Sequence, residues 1–303
     1  MATITAYQAS NLYKPNSWEG DVTSADAHHF TLEDGTGNSN IYYGSLTYAA
    51  YGLTGETITG FESYHNGTLQ LELKNGSFEA VKTAAYILEG NISDLMAYLL
   101  SGNDTIYGSI ANDVITAGRG INFIDGGQGL DTFVLNANYS ESKISSTLGS
   151  TILISNNIAT DSLVNIERLQ FQDKCFANDV NANNAAKVIS AAFGTSYISN
   201  YLAAGITFAD SGMDIDALCK FIDNNKLVES ISGSSDNQSY VKTLFTNVFG
   251  HSPNSDELNT YTAALDSGAY TNLSLLEAAA HYSLTASNVD SLKIDLIGIP
   301  YNP

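Results

Sequence analysis

The sequence predicts an α+β chain of three parts: a β-rich N-terminal domain ending in short helices, a short parallel β-roll with a β extension, and an all-α C-terminal domain. Three observations carry this reading. Thr68 to Lys74 alternate strictly, with Leu69, Leu71 and Leu73 on one face between Asn66-Gly67 and Asn75-Gly76. From about residue 99 to 135 the chain repeats every nine residues. Beyond 181, apolar residues recur at helical spacing. The expected divisions are 1–98, 99–180 and 181–303.

In the first part, His29 to Leu32 and Ile41 to Tyr48 read as strands, with Asp34-Gly35 between them. Residues 79–89 and 92–100 switch to helical spacing. Val81, Ala84, Ala85 and Leu88 share one face, and Leu95, Met96 and Leu99 share another. Ser93 is the expected cap of the second helix. Ser150 to Ser155 and Ile166 to Phe171 read as strands after the repeat. In the last part, Ala185, Val188, Ile189 and Ala192 form one stripe. Ile215, Leu218, Cys219 and Ile222 form a second, and Val241, Leu244, Phe245 and Val248 a third. Gly250 stops the third. A helix over 256–266 follows and ends near Gly268, and Leu273 to Leu284 reads as one long final helix.

The nine-residue units read LLSGNDTIY, GSIANDVIT, AGRGINFID and GGQGLDTFV. Position six holds Asp104, Asp113, Asn122 and Asp131; position eight holds Ile106, Ile115, Ile124 and Phe133. Glycine lets the first six residues turn tightly and bare their carbonyls. The acid at position six adds a carboxylate, and the residue at position eight points inward from a short strand. Two units make one turn of a roll, so loop 99–104 stacks on 117–122 and loop 108–113 on 126–131. Carboxylate and carbonyl oxygens in that arrangement suit a hard cation. Calcium fits better than magnesium, which demands a stricter octahedron. The expected side-chain donors are Asp104, Asp113, Asn122 and Asp131. The loop residues around them are Gly108, Ala111, Gly118, Gly120, Gly126, Gly127 and Gly129. The Asp113/Asp131 pair is the expected best site; Asp104/Asn122 has one carboxylate fewer. About two ions are expected.

These units resemble the RTX, or haemolysin-type calcium-binding, family. GGQGLD at 126–131 matches the family loop fully. The other loops depart from it: Leu99 and Leu100 replace glycine in the first, Ala111 does so in the second, and the third has Asn122 for Asp and carries Arg119. The run 162–180 is similar to the segment that follows such arrays in proteins exported by type I systems. The tail 239–298 resembles a helical domain of unknown function found in them. His251, in Gly250-His251-Ser252-Pro253, stands where that domain has Arg. The resemblance implies calcium-dependent folding and the type I secretion machinery as a partner. It also implies an uncleaved C-terminal signal, with Val289 to Pro303 as part of it.

Composition narrows the function. Acids number 32 and bases 12, for a net charge of −20. That excludes a nucleic-acid partner, since the phosphate backbone needs Lys and Arg. It also disfavours anionic lipid. No run of 18 apolar residues exists to span a membrane. The N-terminus, MATITAYQASNLYK, has neither a basic n-region nor an apolar h-region, so a cleaved Sec signal is not expected. Low Lys and Cys place the chain outside the cell, in tension with that start; type I export resolves it. Cys175 and Cys219 are two small core residues or one optional disulfide.

No HExxH, GxSxG, P-loop or GxGxxG motif occurs. On that ground the chain is expected not to be an enzyme. His28, His29 and His65 lie in a tyrosine-rich region (Tyr42, Tyr43, Tyr48, Tyr51, Tyr64), and a His/Tyr pair can ligate haem. Asp214/Asp216 and Glu33/Asp34 are the carboxylate pairs that could form a dyad. The expectation is a secreted, calcium-stabilised structural protein of the cell surface or extracellular matrix, adhesive or self-assembling, with itself or surface glycans as partner. The alternatives are an extracellular carrier of haem or glycan and an enzyme with an unrecognised site.

Overall fold

The computed structural model describes residues 1–13, 20–50, 52–147, 151–294 and 297–302. Tyr51, Ser150 and residues 295, 296 and 303 of the expected signal lie outside them. The chain forms two compact units, Met1–Gln172 and Asp173–Pro303.

The first unit opens with β1 (Thr3–Ala6), β2 (Asp21–Ala25), β3 (His29–Glu33), β4 (Ser39–Ala49), β5 (Gly52–His65), β6 (Thr68–Lys74) and β7 (Phe78–Glu79). Helices α1 (Ala80–Leu88) and α2 (Ile92–Leu99) follow. The roll is then built by β8 (Thr105–Tyr107), β9 (Val114–Ile115), β10 (Gly120–Asp125) and β11 (Thr132–Val134). After a hairpin of β12 (Lys143–Thr147) and β13 (Thr151–Ser155), the chain adds β14 (Ala159–Val164) and β15 (Arg168–Gln170).

One sheet runs β12-β13-β14-β10-β8-β1-β6-β5-β4-β3-β2, and a second runs β15-β11-β9. β1 is the join. It pairs in parallel with β8, Ile4 beside Ile106, and antiparallel with β6, Ile4 beside Leu73. All three side chains are buried. The step in sequence pattern at 98/99 is therefore not a gap between compact units: the first strand of the chain lies between the roll and the N-terminal sheet.

Asn66 and Gly67 take φ of 49° and 73°, the left-handed pair that a two-residue hairpin needs, and join β5 to β6. Asn75-Gly76 does not close a hairpin. The chain crosses over instead, and β7 pairs with β5 through Ile58 and Phe78. The buried face of α1 is one position away from the expected stripe. Ala80 and Thr83 are buried, while Val81 and Leu88 are exposed. The Thr83 hydroxyl donates to Glu79 O at 2.9 Å, which lets a polar residue face inward. Leu95, Met96 and Leu99 of α2 are buried as expected, but the cap is Asn91, which accepts from Asp94 N, and not Ser93.

The second unit holds β16 (Cys175–Ala177), α3 (Val180–Phe193), α4 (Ile198–Asp210), α5 (Ile215–Asn224), α6 (Leu227–Ser232), α7 (Asn237–Phe249), α8 (Ser255–Asp266), α9 (Asn272–His281), α10 (Ser283–Asp290) and β17 (Ile299–Tyr301). α3 is central: Ala185, Val188, Ile189 and Ala192 are buried in one apolar cluster with residues of α4, α5, α7 and α9. Asp179, Asp214 and Asp236 cap α3, α5 and α7. The expected helix Leu273–Leu284 is two helices, broken at Tyr282, whose ψ of 139° is extended. Residues Ile299–Tyr301 pair antiparallel with β16. Cys175 and Cys219 are both free and buried.

Candidate metal centre

The roll's register is set by its nine-residue period. Thr105 lies beside Phe123 on one wall, and Val114 beside Thr132 on the other, each eighteen residues on. Position eight points inward: Ile106, Ile115, Ile124 and Phe133 are at most 1% exposed. Position six is stacked on two edges and is also buried, with Asp104 and Asn122 on one edge and Asp113 and Asp131 on the other.

Each position-six oxygen closes the turn before it. On the first edge Ala2 N donates to Asp104 Oδ1 at 2.7 Å, and Asp104 N donates to Asn122 Oδ1 at 3.0 Å. Asn122 Nδ2 then donates to Asp161 Oδ1 at 2.8 Å. On the second edge Ser10 N donates to Asp113 Oδ1 at 2.6 Å, Asp113 N to Asp131 Oδ1 at 2.8 Å, and Asp131 N to Glu167 Oε2 at 2.9 Å. Position five adds a second ladder: Ile121 N donates to Asn103 and Leu130 N to Asn112, both at 2.9 Å. Ala2, Ser10, Asn103, Asn112, Asp161 and Glu167 are participants that the period analysis missed. A signal existed for two of them. Asp161-Ser162-Leu163 and Glu167-Arg168-Leu169 repeat the six-to-eight spacing, and both leucines are buried.

The second carboxylate oxygens differ. Asp113 Oδ2 accepts from Ser109 N at 2.6 Å and Ser109 Oγ at 2.9 Å. Asp104 Oδ2 accepts from Gly102 N at 3.3 Å. Asp131 Oδ2 is buried with no partner, as is Ser10 Oγ on the same edge. The reason is at position two, where Ser109 is replaced by Gly127. Gly127 has no hydroxyl, and its N–H donates to Asp125 Oδ1. Burial pushes the Asp131 carboxyl up to about 7; the Asp113 N–H bond opposes this, and the charges of Asp113, Glu167 and Asp125 add to it. Burial likewise raises Asp161 to about 6, against the bond from Asn122.

Carbonyls close on the glycines of the loops. A Cβ on Gly108 would lie 2.0 Å from Gly126 O and 3.0 Å from Asp113 Oδ2. A Cβ on Gly118 would lie 1.8 Å from Leu100 O. Side chains there would fill the clefts into which carbonyl and carboxylate oxygens face. Among the described residues no three His, Cys, Asp or Glu side chains converge on one point. A cation here would draw on backbone carbonyls as well, which is the habit of calcium and not of zinc. A buried carboxylate oxygen without a donor costs roughly 1–3 kcal/mol. A hard cation beside Asp131 offsets that cost, so the residues fit calcium. Leu99 and Leu100, at the end of α2, are buried. The first loop is thus entered from a helix and lacks glycine cleft residues at its first two positions.

The other constellations are engaged in local bonds. His29 bonds Asp26 and Ser24, and His65 bonds Asn66. His29 pairs with Tyr43, and Tyr43 with Gly60 on β5, five residues from His65. At strand rise that sets His29 and His65 roughly 17 Å apart, while Tyr43, opposite His29, donates its hydroxyl to Glu62. Asp214 caps α5, and Asp216 bonds His281 at 2.8 Å. Asp34 holds its turn through Thr36 and Asn38, chiefly the Thr36 N–H, which lowers its carboxyl to about 2.

With this geometry in place, the comparisons are specific to one segment. Residues 98–134 match the family model of the RTX calcium-binding nonapeptide repeat in four copies. That segment is an RTX array. RTX repeats bind calcium, so calcium is the cofactor of this segment. No curated protein matches. Among solved structures, the extracellular lipase LipA from Serratia marcescens is 24% identical over 23% of this chain, with a TM-score of 0.17. The matched region spans 13% of the lipase chain. The match is too short and too loose to compare folds. It does correct one expectation. The repeat has a match in an enzyme, so the reading of this RTX chain as a non-enzyme does not stand.

Proposed function

We propose that the chain is a secreted protein of the cell surface or extracellular matrix whose N-terminal unit folds on calcium after type I export. The observation that supports this most is β1. It pairs with β8 of the roll on one side and with β6 on the other. Ordering the roll with calcium therefore orders the seed of the whole N-terminal sheet. Asp113 and Asp131, with loop carbonyls around Gly108, Ala111, Gly126, Gly127 and Gly129, hold the principal ion. Asp104 and Asn122, with Gly118 and Gly120, hold a weaker one. In calcium-poor cytosol the carboxylate edge stays open and the chain remains threadable. Outside, binding free energy becomes folding free energy. The adhesive or self-assembling role draws on β2, an edge strand with all five residues exposed. Calcium shields a surface that otherwise repels at −20.

The test is far-UV circular dichroism and sizing of the full chain in calcium and in chelator. Calcium should add β structure and compact the chain, and Asp113→Asn with Asp131→Asn should abolish the response. An unchanged spectrum and radius would overturn the calcium-folding reading. A monomer at all calcium concentrations would remove self-assembly alone. A second reading, glycan binding, is favoured by one surface: Tyr43 and Tyr64 hydroxyls donate to Glu62, and Tyr7 donates to Glu72, beside a groove lined by Gly60 and Lys74. Fixed rings and carboxylates suit sugar hydroxyls. Calorimetry against a glycan panel, with no heat from any sugar, would remove it.

A further inference from the structure

We propose a further cation site one turn beyond the matched repeats, between loop 126–131 and the turn at 164–167. It rests on the calcium reading of the roll but uses residues outside residues 98–134.

The roll does not end at Val134. After the β12-β13 excursion the chain returns in register. β14 pairs with β10, Asn122 beside Asp161, and β15 pairs with β11, Thr132 beside Arg168. Residues 159–170 are thus another turn, built without glycine-rich sequence. Glu167 takes the position-six place on the second edge, accepting Asp131 N through Oε2 at 2.9 Å.

Two oxygens meet at this turn, and the Glu167 carboxylate accepts from the backbone N of Asp131 beside them. Asp131 is 0% exposed, and its Oδ2 has no partner. That oxygen faces Gly126: a Cβ there would lie 2.6 Å from it and 2.1 Å from the Asn165 carbonyl oxygen. Asn165 is a non-glycine residue at φ of 52°, its side-chain amide on Asp125 Oδ1 at 2.7 Å. This is the arrangement of the preceding turn moved on by one. There Gly108 faces Gly126 O and Asp113 Oδ2. Asp113 Oδ2, however, is already bonded to Ser109, whereas Asp131 Oδ2 is bare. Asp131 Oδ2, Asn165 O and the Glu167 carboxylate form an all-oxygen set with two acids, suited to calcium with water completing the shell.

The experiment is the calcium stoichiometry of the full chain by native mass spectrometry and equilibrium dialysis, for wild type, Glu167→Gln and Asp113→Asn. Glu167→Gln keeps an oxygen for Asp131 N and removes the charge. It should bind one ion fewer than wild type while keeping the ions of the array. An ion count and affinity equal to wild type in folded Glu167→Gln would overturn this site and leave the array reading intact. Absence of any bound ion in wild type at millimolar calcium would overturn both. If Glu167→Gln does not fold, the wild-type readout is the carboxyl carbon resonances of Glu167 and Asp131 in a calcium titration. They should move together at one calcium concentration; a Glu167 resonance that stays fixed overturns the proposal.

Discussion

The two edges of the roll follow one nine-residue plan and differ by an amide. On the first edge the row is Asp104, Asn122, Asp161, all buried; on the second it is Asp113 and Asp131, buried, and Glu167, half-buried. Asn122 accepts from one neighbour and donates to the other, so the first row satisfies itself. Ionised, Asp131 can accept but cannot donate. It sits between two acids, with its carboxyl raised to about 7 and one oxygen bare. One choice of side chain at position six therefore separates an edge that closes on hydrogen bonds from an edge that leaves a buried carboxylate oxygen bare. Asn122 brings no carboxylate, and its amide is already bonded on both sides, so on the proposed reading this edge holds its ion more weakly.

The strongest way to break this comparison is Asp131→Ala. It strands Asp113 N and removes the central carboxylate, and should cost about 3 kcal/mol or more in calcium, measured by denaturant unfolding of the calcium-loaded chain. The next is the exchange of the two middle residues. Asn122→Asp removes the donor to Asp161 and adds a like charge. In chelator it should destabilise by roughly 1–3 kcal/mol, and in calcium it should raise ion affinity at the first edge. Asp131→Asn should do the reverse, melting higher in chelator and responding less to calcium. If Asp131→Asn melts lower than wild type in chelator, the edges do not differ as described.

The pH dependence has a definite sign. The carboxyls of Asp131 and Asp161 are raised in the fold to about 7 and about 6, above the ordinary 3.8. Between those values the folded state binds more protons than the unfolded state. Metal-free stability therefore falls as pH rises from about 4 to 7 through these two groups. Calcium replaces the proton on Asp131, so its affinity should rise over the same range. Thermal melts in chelator and in calcium, from pH 5 to 8, should show opposing slopes, and Asp131→Asn should flatten the chelator slope. The smallest expected effect is Ser109→Gly, which bares Asp113 Oδ2 as Gly127 bares Asp131. It should cost about 1 kcal/mol in chelator and tighten calcium binding modestly.

Much of this edge chemistry is legible in the sequence, because it is local. The nine-residue period places Ile106, Ile115, Ile124 and Phe133 inside and stacks the acids eighteen residues apart. The stripes of α3 and α7 are legible for the same reason. What escapes is set by distant pairing. Ala2 and Ser10 cap the ladders across about a hundred residues, and nothing near them announces it. Asp161 and Glu167 are separated from their rungs by the β12-β13 excursion and carry no glycine loop. β5 was hidden by Gly55, Gly60 and its register shifts, which break the alternation that reveals β6. α1 shows that a stripe of small residues can be read one position out when Thr83 is held inward by its own backbone bond.

The charge sharpens the same point. Asp104, Asp113 and Asp131 are three of 32 acids, so the net −20 belongs to the whole surface. Two ions in the array would leave about −16, and a third at the further site about −14. On the proposed reading, any dependence on calcium comes from where these few acids are buried, not from how many there are.

The most direct measurement is residue-resolved amide exchange of the wild-type chain in millimolar calcium and in chelator. Calcium should raise protection at Asp113, Thr132 and Glu167, and at Ile4 and Leu73 of the joined sheet, and leave α3 of the second unit unchanged. Equal protection at Asp113, Thr132 and Glu167 with and without calcium would contradict it.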